Sequence, residues 1–208
     1  MKGMWKKMNN KNPKIKITEE EKNILVTENP NKDQIEKFKQ EIRNYDPEYR
    51  LFELRSPKIK KRNYLTNEDF FDICMWKSAR QKNRYLKACQ NKDIVEITKK
   101  AFAKINDIDK LTELTENLDG VGIPTASAIL AVYNPTKYGV IDIRALQVLH
   151  SAKLINSDNP SNKKNWVEYI KIIRVLAKRY NCSPREVDKA LFLIHTKYTK
   201  EKNLYKID

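Results

Sequence analysis

The chain has 208 residues, 42 Lys+Arg against 27 Asp+Glu, and a formal net charge of +15. That length suggests one domain with room for a small appendage, and 40% hydrophobic residues are enough for a core, which excludes wholesale disorder. The charge excludes an acidic solvating chain and makes nucleic acid or an anionic surface the first partner class to test. Only four residues are glycine, where average usage of about 7% would give roughly fourteen. So few argues against a turn-rich all-β fold and against a repeated glycine-rich phosphate loop.

Residues 1–31 are rich in Lys and Asn and carry Pro13 and Pro30. They read as a mobile or loosely docked arm, with short extended pieces at Ile15, Ile17, Ile24, Leu25 and Val26. Ile35, Phe38, Ile42 and Tyr45 recur at spacings of three and four, which marks an amphipathic helix. Residues 46–63, with Pro47, Pro57 and the run Lys58, Lys60, Lys61, Arg62, read as a linker. The boundary therefore falls between a basic arm over 1–63 and a helical domain over 64–208.

From Thr66 the pattern is helical almost to the end. Thr66 and Asp69 form a capping pair ahead of Phe70, Phe71, Cys74 and Trp76. Ile94, Ile97, Ala101 and Ile105 make the next stripe. Asp107 is placed to cap a helix carrying Ile108, Leu111, Leu114 and Leu118. Helix resumes at Pro124. Trp166, Ile170, Ile173, Ala177 and Tyr180 line a long helix that stops at Asn181. Ser183, Pro184 and Glu186 then open a last one along Val187, Ala190, Leu191, Ile194 and Tyr198. The expected fold is all-α, a multi-helix bundle.

Cys74, Cys89 and Cys182 form no CxxC pair, and His150 and His195 have no cysteine near them, so no metal is expected. No apolar run approaches the length of a membrane span, and residues 1–16 lack a signal peptide's apolar stretch. A cytoplasmic monomer is the default expectation. The basic charge has two readings: a solvated lysine-rich surface of A/T-rich codon origin, or a phosphate-binding face.

Residues 118–130 carry the most information: Leu118, Asp119, Gly120, Val121, Gly122, Ile123, Pro124, Thr125, then Ala126, Ser127 and Ala128. Two glycines in so short a connection permit positive φ and close approach of another backbone. Val121 can pack inward, and three small residues let the second helix lie close to the first. The N–H groups that open the second helix can bind an anion such as a DNA phosphate. Without further context, a sharp helix–helix connection is the better explanation of the glycines.

The segment resembles the hairpin of the helix-hairpin-helix DNA glycosylase superfamily, Leu-x-Gly-Val-Gly-x-x-Thr-Ala, which residues 118–126 match at every specified position. Those families place a catalytic aspartate 22 residues after the first hairpin glycine. Here that position is Asp142, after the run Tyr138, Gly139, Val140, Ile141. The segment from Trp76 to Arg80 also looks like short bacterial members. The resemblance implies a fold of the helix-hairpin-helix glycosylase type, a double-stranded DNA partner, and hydrolysis of a damaged or mismatched base's N-glycosidic bond in base-excision repair. It implies Asp142 as the catalytic residue, with Gly120, Val121, Gly122 and Thr125 at the phosphate and Arg144, Lys77 and Arg80 as further DNA contacts. A hairpin of this type can also hold a monovalent cation.

Two departures qualify it. Bifunctional members carry a Schiff-base lysine where this chain has Pro124, so no lyase step is implied there. Another lysine could substitute, and Lys77 is the one to watch. With Cys182 the one cysteine after the hairpin, an iron–sulfur cluster is excluded.

Read without the resemblance, Asp142 is more commonly a helix cap ahead of residues 143–150. Arg144 divides between a phosphate contact and a carboxylate partner. Lys77, Arg80 and Arg84 share a helix face by spacing, as a DNA groove or a solvated surface. Trp76 reads as core ahead of stacking on a flipped base, Tyr133 and Tyr138 share that ambiguity, and His150 reads as structural or exposed. Three functions follow: a monofunctional glycosylase, a non-catalytic DNA-binding protein on the same scaffold, and a protein-interaction module.

Overall fold

The computed structural model describes residues 18–43 and 49–201, and every regular element among them is helical. Two helices lie in the amino-terminal part, α1 (Glu19–Val26) and α2 (Lys32–Arg43). A π-helical turn (Arg50–Arg55) runs into α3 (Ser56–Arg62). Then come α4 (Asn67–Ser78), a 3₁₀ turn (Ala79–Gln81), α5 (Lys82–Asn91), α6 (Ile94–Ala103) and α7 (Asp107–Asn117). After the hairpin follow α8 (Ile123–Tyr133), α9 (Ile143–Ser151), α10 (Lys163–Arg179) and α11 (Pro184–Glu201). No helix among the described residues is long and apolar enough to cross a membrane.

Helix α8 forms the centre of the molecule. Its sequence is apolar or small all round, and Thr125 through Val132 are all buried, the pattern of a helix surrounded by others. Helices α4, α7 and α3 pack against it. Helix α6 lies on α7, and α11 packs on both α9 and α10. The capping pair at α4 forms as expected: the Asp69 backbone N–H donates to Thr66, and the Thr66 N–H donates back to Asp69. Asp69 is buried and also receives Arg55 (3.0 Å) and Arg62.

The linker expected over 46–63 is instead helical from Arg50 to Arg62. Leu51, Phe52 and Ile59 are buried in the same core as α8, because their spacing puts them on one side of the π turn and α3. The arm is docked too. Leu25 is buried and its carbonyl accepts from Arg179 (3.0 Å), while Phe38 stacks on Tyr180 at 4.5 Å. Ile15, Ile17, the Ile24 and Ile42 side chains and Tyr45 lie outside the description.

Two local expectations are corrected and one open reading is resolved. Asn106, not Asp107, occupies the cap of α7, which frees Asp107 to accept from Tyr138 (2.7 Å) and Arg174 (2.6 Å). Ile105 lies beyond the end of α6 and is 90% exposed, so it belongs to no stripe. Tyr138 is buried and Tyr133 stacks on Phe102 at 3.8 Å, so both serve the core.

Candidate active site

The hairpin is built by the residues that suggested it. Helix α7 ends at Leu118, whose carbonyl accepts from the Val121 N–H (3.1 Å), and Gly122 caps α8. Val121 is buried and locks the turn. The two glycines have different reasons to be there. Gly120 sits at φ +81°, and a Cβ on it would lie 2.7 Å from Cβ of Arg84 and 3.3 Å from the Tyr85 ring. Gly122 has φ −87° and would meet nothing nearer than Pro124 at 3.9 Å. Positive φ and close approach thus concern Gly120 alone. Thr125 is buried beside Tyr85, so its hydroxyl faces the core rather than a ligand.

The run 139–142 is delivered by three side chains from three helices. Asp188 of α11 accepts from the Val140 N–H (2.7 Å), Tyr169 of α10 donates to the Val140 carbonyl (3.0 Å), and Ser127 of α8 accepts from the Ile141 N–H (3.0 Å). Ser127 also donates to the Pro124 carbonyl (2.7 Å), which ties this run to the hairpin helix. Gly139 is confined: a Cβ there would come within 2.9 Å of Asp188 and of the Pro184 carbonyl, and 2.7 Å of Ile173.

Asp142 caps α9, one carboxylate oxygen accepting from the Arg144 N–H at 2.9 Å. Its other oxygen accepts from Lys77 Nζ at 2.9 Å. These two side chains are 30% and 12% exposed. Burial pushes the carboxyl up, but Lys77, the Arg144 N–H and the Arg144 charge outweigh it and hold Asp142 below the usual aspartate range. The carboxylate is therefore ionised in a partly dry site.

It faces a cleft of about 230 Å³ lined by Trp76, Lys77, Val140, Asp142, Arg144, Ala145, Arg185, Asp188 and Phe192. Arg144 lies 4.8 Å from the Phe192 ring centre. Trp76, expected in the core, is only partly buried and forms a wall, its ring edge-on to Phe52 at 5.7 Å. Arg185 sits over Phe52 (4.5 Å) and Trp76 (5.4 Å) and pairs with Asp188. Behind the cleft, buried His195 meets Gln147 at 2.9 Å, and burial with the nearby Arg144 charge pushes the imidazole down to about 4.

Of the expected site residues, Asp142, Lys77 and Arg144 come together. Gly120, Val121, Gly122 and Thr125 belong to the hairpin and do not line the cleft. Lys77, Arg80 and Arg84 do not share one helix face, because α4 ends at Ser78 and the 3₁₀ turn redirects the chain. Lys77 turns into the cleft, Arg80 is exposed on the turn, and Arg84 sits on α5 against Gly120. His150 is exposed.

Arg185, Asp188 and Phe192 went unnoticed in the sequence. An Arg–Asp pair three apart on an otherwise apolar helix face is the signal that marks them, since such a pair becomes buried with its helix. Among the described residues no group of three or more His, Cys, Asp or Glu could hold a metal ion, and the three cysteines are free thiols. Compared with known proteins, the chain matches no family model, no curated protein and no solved structure.

Proposed function

We infer that the protein is a DNA N-glycosylase-like hydrolase that acts on a base turned out of the duplex. One observation carries this reading: an ionised Asp142 stands at the wall of an open cleft, on a run that Ser127 ties to the helix of the Gly-Val-Gly hairpin. Breaking an N-glycosidic bond builds positive charge on the sugar, and a preorganised carboxylate beside it stabilises that charge. Water adds to the sugar carbon, its proton leaving by way of Asp142 to solvent. The base departs with the bonding electrons and takes up a proton. Because Lys77 and the Arg144 N–H lower its basicity, Asp142 acts more as an electrostatic partner than as a strong base. A flipped base needs stacking walls, which Trp76 and Phe192 supply.

The second reading is a non-catalytic DNA-binding protein. It is favoured by Asp142 serving its own helix as cap while also ion-paired, a sufficient structural role. Excess protein incubated with damaged and mismatched duplexes, then treated with hot alkali, separates the two. Strand scission by wild type and not by Asp142→Asn supports hydrolysis. Scission by neither, with salt-dependent binding intact, favours the second reading. Borohydride trapping should give no covalent adduct, since Pro124 stands where a lyase lysine would be and the Lys77 Nζ is engaged by Asp142 at 2.9 Å. An adduct lost in Lys77→Met would replace simple hydrolysis with a lyase mechanism.

A further inference from the structure

Between Asp72 and Asp93 the chain carries six cations, Lys77, Arg80, Lys82, Arg84, Lys87 and Lys92, and no acid. Codon bias toward lysine does not explain that gap, because the whole chain balances 42 cations with 27 acids. Apart from Lys77, these cations are exposed, and none of the salt bridges among the described residues engages them. Lys82 and Arg84 lie in the first turn of α5, where the helix's own partial positive charge disfavours cations and where no acid and no side-chain cap offsets them. The helix carries this charge at a cost to its own stability.

The Cβ of Arg84 occupies the space a side chain on Gly120 would need, so α5 leans directly on the hairpin turn. Arg84 and Lys87, three apart, share that flank of α5. The Arg84 stem is held against the turn while its guanidinium stays exposed, so little side-chain freedom remains to be lost when it binds.

We propose that the flank of α5 bearing Arg84 and Lys87 is a phosphate-binding track for duplex DNA. It extends the hairpin contact along one strand toward the cleft wall at Lys77. This rests on the DNA-binding half of the function proposed above but not on catalysis by Asp142. The hairpin would hold one phosphate by backbone N–H groups, and the track would take two neighbouring phosphates by charge.

The test is the salt dependence of affinity for an undamaged duplex, measured with the full-length protein. Arg84→Gln keeps the stem carbons that touch Gly120, so it removes charge without opening a gap. The Arg84→Gln/Lys87→Gln double variant should lower the slope of log K against log salt by about 1.8, at roughly 0.9 per phosphate contact. Lys171→Gln/Lys178→Gln, which removes two exposed lysines of α10 that line no part of the Asp142 cleft, should leave the slope unchanged. Matched thermal melts keep unfolding out of the comparison. An equal fall in both double variants, or no change in the α5 variant, overturns the track and leaves hydrolysis by Asp142 standing. Wild-type binding that ignores salt overturns the track and the DNA-binding reading together. Loss of base release in Asp142→Asn with unaltered slopes bears on catalysis alone.

Discussion

The two oxygens of Asp142 have different partners, the Arg144 N–H on one side and Lys77 on the other. Each partner stabilises the ionised form, and together they overcome the burial that opposes it. Replacing Lys77 with Met leaves burial opposed only by Arg144. The Asp142 midpoint, followed by carboxyl-carbon NMR, should therefore rise on Lys77→Met. An unchanged midpoint would mean that the ion pair does not persist in solution. The hairpin glycines allow a second comparison at this scale. Gly120→Ala must bear a left-handed backbone and a clash with Arg84, so it should destabilise by about 1–3 kcal/mol in urea melts. Gly122→Ala meets neither obstacle and should stay within about 0.5 kcal/mol. Comparable losses at both positions would contradict this turn geometry.

Among elements, α8 connects the hairpin to the carboxylate. Its first turn opens at Gly122, and one turn later the Ser127 hydroxyl bridges the Pro124 carbonyl and the Ile141 N–H. Ser127→Ala leaves that N–H buried without a partner. The expected cost is about 1–3 kcal/mol, and base release should slow while duplex affinity holds, because the hairpin itself is untouched. A loss of affinity equal to the loss of rate would argue against this division of labour. Thr66→Ala removes the cap of α4, the helix that supplies Trp76 and Lys77, and should cost about 1 kcal/mol.

For the molecule as a whole, buried titratable groups set the response to acid. His195 is driven down to about 4, whereas an unfolded histidine titrates near 6.5. Between those values the unfolded chain binds the extra proton and the folded chain does not, so stability present above pH 6.5 drains away as pH falls toward 4. The loss should reach about 2 kcal/mol between pH 7.5 and 5, and His195→Gln should flatten that slope whatever its absolute stability. Asp142 and Asp107 act at lower pH. Burial raises both, yet Lys77 and Arg144 at the first, and Arg174 and Tyr138 at the second, bring them below the ordinary range. Their contribution is complete above the unfolded aspartate value and is lost only as pH drops through the folded ones. A urea series across pH that is flat from 7.5 to 5 would contradict the His195 environment.

Much of this was open to reading from the chain alone. The all-helical fold follows from apolar spacing, the caps of α4 and α11 from local hydrogen-bond chemistry, and the Gly120 turn from backbone sterics. These are short-range effects among residues a few positions apart. Asp142 was legible as a helix cap for the same reason, and as a catalytic candidate only by its resemblance to a known spacing. The Lys77–Asp142 pair spans 65 positions, and Asp188 reaches back 48 to hold Val140. Such contacts depend on how helices cross, which no local pattern encodes. The linker reading of 46–63 failed because its prolines and lysines dominate the composition, while Leu51, Phe52 and Ile59 bury only once α8 lies beside them. Short-range chemistry in the sequence decided which helices form and where they end. Tertiary packing decided which charges meet, because a carboxylate's character depends on the neighbours and the water around it.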